Sequence, residues 1–249
     1  MEATEFYLIT GVIFLLAGTV KGIVGFGLPL VSITLLTPLH GLVDAIAVML
    51  LPAVVTNFWQ AVSGGGLIAL WKRLWPLYLP GAVSTVMAAS VLVQVDAQWP
   101  TALLGCVILA YSIGGLAAWQ LPEPGRRETW LSPVTGVITG VITGLTGVLV
   151  FPLAAYVQAL NLDRRMLFQA MGIYLLLANV ALAAAFGWQD AFPEGVTHLA
   201  LIGVVAGLIG MVLGQRVQAH LSAQQFKRVF FCSLAVVGAY IFLRALLSN

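Results

Sequence analysis

The sequence predicts an all-α integral membrane protein made of two inverted repeats, each a broken, re-entrant helical hairpin followed by three transmembrane helices. Three observations carry this. Only 8% of the residues are charged and 61% are hydrophobic, where soluble domains carry roughly 25% charged residues. The apolar stretches are long and do not alternate, which selects spanning helices over a barrel. Finally, two apolar stretches share a glycine–proline pattern at a spacing of 122 to 123 residues.

In chain order, residues 1–122 form the first repeat: a hairpin over 6–37 and helices over 44–62, 75–95 and 100–119. A cytoplasmic linker, 123–128, follows. The second repeat, 129–249, holds a hairpin over 131–160 and helices over 165–186, 196–215 and 226–247. The six helices are each near the roughly 20 residues a bilayer needs. Loops such as "DAQWP" (96–100) and "GWQDAFPEG" (187–195) separate them. The hairpins are the anomalous pieces. As one straight helix, residues 6–36 would reach roughly 46 Å against a hydrocarbon core of about 30 Å, and they are too short for two full crossings. The start, "MEATEFYLIT", has no basic region and is not read as a cleaved signal peptide. Cys106 and Cys232 lie in apolar runs and read as small core residues rather than a disulfide.

The repeat is visible residue by residue. "KGIVGFGLPL" (21–30) aligns with "TGLTGVLVFPL" (143–153), pairing Gly22 with Gly144, Gly25 with Gly147 and Pro29 with Pro152 across one inserted residue. "TNFWQA" (56–61) aligns with "ANVALA" (178–183), pairing Asn57 with Asn179. Such duplication is common among secondary transporters. Basic residues decide the orientation of the halves. If both broken stretches crossed the membrane, five Lys or Arg would lie on each side. If both are hairpins, Lys72, Arg73, Arg126, Arg127, Arg164, Arg165, Arg216, Lys227 and Arg228 share one side and only Arg244 lies opposite. Nine against one satisfies the positive-inside rule. The second half is then inverted; a rival in which one stretch crosses and the other returns is left open by the count.

Glycine turns at membrane depth survive where they are buried in protein or line a wet cavity. Residues 22–27 and 144–149 are expected to form such turns, with half-helices starting near 28 and 151 whose free N–H groups face an anion. Lys21 stands beside the first turn, and no Asp or Glu lies inside a span to pair with it; its expected counter-ion is a bound anion. The candidate substrate-binding residues are Lys21, Gly22, Gly25, Phe26, Gly27, Asn57, Gln60, Gly144, Thr146, Gly147 and Asn179. Thr56, Gln158 and Gln169 are weaker candidates for the same wall. Competing readings are helix packing for the glycines, an interfacial position for Lys21 and interhelical hydrogen bonding for the asparagines. His40, His198 and His220 show no metal-ligand spacing, and neither a catalytic motif nor a cofactor motif is present. No cofactor and no metal is expected, and the chain is not read as an enzyme.

With the duplicated motif, "LLPAVVTNFWQA" (50–61) and "LNLDRRMLFQAMG" (160–172), the chain resembles the sulfite exporter TauE/SafE family of bacterial permeases over nearly its whole length. The second copy departs from the family's glycine-rich pattern at Val148, Leu149 and Val150. The resemblance implies a multi-pass protein of the bacterial inner membrane. It also implies a secondary transporter, an exporter of sulfite, organosulfonates or related anions. The alternative is an anion channel or uniporter for small organic anions. Expected partners are a small anionic substrate and the lipid bilayer, with no nucleic acid; a homo-oligomer is left open.

Overall fold

The computed structural model describes residues 3–117, 121–148, 152–218 and 223–247. Leu149, Val150 and the expected end of the third helix at 118–119 lie outside the described residues. Within them the chain is all helix, without a strand. The helices are α1 (Ala3–Val24), α2 (Leu28–His40), α3 (Leu42–Val62), α4 (Leu67–Leu92), α5 (Gln98–Leu116), α6 (Glu128–Thr146), α7 (Leu153–Ala159), α8 (Arg164–Trp188), α9 (Val196–Gln218) and α10 (Ala223–Leu247). Seven of them, α1, α3, α4, α5, α8, α9 and α10, hold a segment long and apolar enough to cross a membrane.

The first break is short and built from two glycines. α1 ends at Val24; Gly25 (φ 87°) and Gly27 (φ 113°) take left-handed backbone that other residues avoid, and α2 starts with Pro29 in its first turn, where the missing N–H costs nothing. The helix thus runs through Gly22, not up to it. In the second half α6 runs through Gly144 and Thr146 and ends on Gly147 (φ 71°). The first turn is narrower than its glycine pattern suggests, and the second starts later than expected, at Gly147.

The arms of the first hairpin are unequal. The 22 residues of α1 give about 33 Å at 1.5 Å per residue, a full span. α2 has 13 residues and is about 20 Å long. Leu28 packs at the level of Gly207, midway along α9, so α2 begins at mid-depth. It returns to the end where α1 began, with His40 edge-on to Phe6 at 4.3 Å between ring centres.

Packing directions follow from paired contacts. α1 runs parallel to α9: Gly11 meets Ile202, Gly18 meets Gly207 and Gly22 meets Gly214. α4 runs parallel to α6, with Gly136 on Leu77 and Gly144 on Ala88. α3 and α8 are antiparallel, because Gly172 meets Ala61 while Gly64 meets Gln169. α5 and α10 are antiparallel too, with Gly115 on Phe231 and Gly105 on Phe242. The halves interlock, since α1 of the first lies along α9 of the second and α6 along α4.

Two ends result. One gathers 63–66, 121–127 and 160–163, tied by Gly66 N–H to Gln169 Oε1 (2.8 Å), by the Arg73–Glu128 ion pair (2.8 Å) and by Arg73 donating to the Leu160 carbonyl (3.3 Å). At the other, Arg244 donates to the Pro38 carbonyl (3.0 Å) and Gln94 to Gln189 (3.4 Å).

Helix boundaries follow the hydropathy except at α4, which starts at Leu67 rather than 75 and takes Lys72 and Arg73 into its first two turns. The cysteines are corrected. Cys106 and Cys232 are free and exposed, because a membrane protein's outer faces are as apolar as its core.

Candidate functional site

Lys21 sits in the last turn of α1 and is 3% exposed. Its Nζ donates to Thr56 Oγ1 at 3.1 Å and to Asn57 Oδ1. Both acceptors are fully buried on α3, near its end, and both are neutral. Thr56 is held for this by its own hydroxyl, which also bonds the Pro52 carbonyl (2.8 Å), a group of its own helix. Asn57 Nδ2 has no partner among the described residues.

The lysine lies on the wall of a cavity of about 520 Å³. Around it stand Gly22 and Gly25 of the first hairpin, Trp59 and Gln60 of α3, Arg164, Arg165 and Phe168 of α8, and Gln215 of α9. Three cations line this space and no Asp or Glu does, so its field favours an anion. The mouth is tied across the two halves. Gln60 Nε2 donates to the Phe168 carbonyl (2.9 Å), and Gln169 Nε2 to the Ala61 carbonyl (2.7 Å). Asp163 caps α8 by accepting from the Met166 N–H (2.9 Å), and Arg165 and Met166 of that first turn lie beside Gly65 and Gly66 of the loop 63–66. The Arg164 guanidinium lies 5.8 Å from the centre of the Phe168 ring.

Of the residues singled out in the sequence, Lys21, Gly22, Gly25 and Gln60 share this cavity wall, with Asn57 behind Lys21. Phe26 is half-buried against the core, and Gly27 caps the start of α2. Gln169, a weaker candidate, lines it too, whereas Gly144, Thr146, Gly147 and Asn179 do not. Gly144 packs on α4, 2.6 Å from the Thr85 carbonyl oxygen by its missing Cβ; Gly147 faces Ile33 and Ile46 on α2 and α3. Thr146 bonds the Ile142 carbonyl (2.6 Å), and Asn179 donates to the Leu175 carbonyl (2.7 Å). Gly22 has a packing role as well, since a Cβ there would overlap the Met211 carbonyl.

Arg164, Arg165, Trp59 and Phe168 enter the cavity without a local signal. The two arginines read as loop charges in "LNLDRRMLFQ", and only the long-range seating of α8 on the 63–66 loop brings them in.

The model of the family described as sulfite exporter TauE/SafE matches residues 10–241. The chain belongs to that family. It is a family of membrane transporters, not of enzymes, and its apolar helices make this member a multi-pass membrane protein. No curated protein and no solved structure matches the chain.

Proposed function

We propose that this TauE/SafE member exports a small sulfur-containing anion, sulfite or an organosulfonate, across a bacterial inner membrane, and that the anion binds in the cavity at Lys21. The buried ammonium carries the reading. A lysine at membrane depth is costly unless paired, and Thr56 and Asn57 give it hydrogen bonds but no opposite charge. An oxyanion in the cavity supplies that charge. It would also meet Arg164 and Arg165 nearer the mouth. Gly25, on the cavity wall, lets the Phe168 ring lie directly against the backbone there.

Two further points belong to this reading. We infer that the halves are inverted repeats, supported by the antiparallel pairs α3–α8 and α5–α10 and by an exchange of contacts: Gly25 meets Phe168, and their partners at an offset of 122, Gly147 and Ile46, meet as well. The end that carries Arg126, Arg127, Arg164 and Arg165 is then cytoplasmic, and the cavity opens there, as an exporter's loading site requires.

The test is calorimetric binding of sulfite, a small sulfonate and a small carboxylate to purified protein and to Lys21→Met, beside melting curves. Methionine keeps the length and removes the charge. Affinity for the sulfur anions should fall at least tenfold while melting is kept. Undiminished affinity in folded Lys21→Met would remove the lysine from the site and the reading with it.

A further inference from the structure

We propose that the second half holds a monovalent inorganic cation between Asn179 Oδ1 and Thr143 at the C-terminal end of α6, in the place that the Lys21 ammonium takes in the first half. The proposal rests on the pairing of the two halves and not on the anion site.

At an offset of 122, Lys21 pairs with Thr143, Thr56 with Ala178 and Asn57 with Asn179. The asparagine is thus kept while the ammonium it serves is gone. Asn179 is fully buried. Its Nδ2 donates to the Leu175 carbonyl at 2.7 Å, and since a carbonyl only accepts, that bond fixes which way the amide faces. Oδ1 is left over, with no partner among the described residues. A buried carbonyl oxygen without a donor costs about 1–3 kcal/mol, and a cation removes that cost.

A second observation is electrostatic. The C-terminus of a helix carries about half a negative charge, and a helix that ends inside the bundle has no water to screen it. α1 answers with Lys21 in its last turn. α6 has no basic residue in its last turn. It ends there on Gly147, with Thr143 fully buried and its hydroxyl donating to the Val148 carbonyl (3.3 Å), so that the oxygen's lone pairs stay available. Ends of broken helices of this kind are where transporters hold coupling cations.

Packing brings the two residues to one level. α6 runs parallel to α4, and α4 to α8, where Tyr78 meets Ala170 and Gly81 meets Tyr174. The Tyr174 hydroxyl donates to the Gly136 carbonyl (3.1 Å). Five residues onward along each parallel helix, about 7.5 Å, Asn179 comes level with residue 141, within the same turn as Thr143. The donors are neutral oxygens, and among the described residues no cluster of His, Cys, Asp or Glu could hold a metal ion. Such a site balances one positive charge, not two.

The experiment is the melting temperature of the intact purified protein at constant chloride, with choline replaced stepwise by sodium or by potassium. Sulfur anions are left out, so the outcome is independent of the Lys21 reading. A saturable rise with one of the two ions is expected, by mass action on the folded state. Asn179→Ala and Thr143→Val should abolish it, and Thr143→Lys should give a protein whose melting no longer responds to the ion. Thr143→Val is close to isosteric and decides the matter where Asn179→Ala does not fold. Identical melting in choline, sodium and potassium would overturn the proposal. So would a full response surviving in folded Thr143→Val.

Discussion

Gly25 shows what a single residue decides here. Its φ of 87° is a conformation that L side chains rarely adopt, and a Cβ would fall inside the Phe168 ring. Gly25→Ala therefore meets two penalties: about 1–2 kcal/mol for left-handed backbone and about 1–3 kcal/mol for overpacking. Melting of the purified variant should drop by several degrees. Adding Phe168→Ala should recover the packing part and leave the backbone part. A Gly25→Ala protein that melts like the parent would mean that the turn relaxes freely. Part of this residue scale was legible in the sequence. Lys21 stood out as an ionisable residue in an apolar run, and Asn57 as an amide in mid-span, and the two are bonded. Gly22 and Gly144 were read as turn glycines because glycine marks turns and close packing alike; only the partner helix, α9 or α4, tells them apart. The exposure of Cys106 and Cys232 was hidden for a related reason: apolarity points inward in water but says nothing in lipid.

At the scale of the helices, close approach is made by glycines facing backbone. A Cβ on Gly210 would overlap the Leu15 carbonyl of α1, and one on Gly140 the Gly81 carbonyl of α4, whereas Gly114 has open space. A backbone oxygen cannot swing aside as a side chain does. Gly210→Ala and Gly140→Ala should each destabilise by about 1–3 kcal/mol, read as lower melting temperatures. Gly114→Ala, on α5, should leave melting unchanged or raise it, since alanine favours the helix. Equal effects at the three positions would show that glycine is not what brings these helices together. The helices themselves were readable from length and apolarity, including the short α2. What hydropathy missed was the start of α4, where Lys72 and Arg73 lower the average although the helix continues through them, and the full length of α1, which merged with α2 into one overlong stretch.

The arrangement of the whole molecule turns on whether the chain leaves each broken stretch on the side it entered. Phe6 against His40 brings the start of α1 and the end of α2 together, and the split of basic residues favours a return for the second stretch. The helix pairs that join the two halves, α1–α9, α4–α6, α3–α8 and α5–α10, are all distant in sequence. Cysteine labelling from either side of the membrane decides. Cys106 and Cys232 are exposed and free, so both are first replaced by alanine. In that background Glu5→Cys and Gly41→Cys should be modified from the periplasmic side, together with Gln98→Cys and Asp190→Cys. Arg126→Cys and Arg165→Cys should be modified from the cytoplasmic side only. Labelling of positions 5 and 41 from opposite faces would make the first broken stretch a true crossing. Labelling of positions 126 and 165 from opposite faces would make the second broken stretch a crossing, return the basic residues to an even split and remove the inverted repeat.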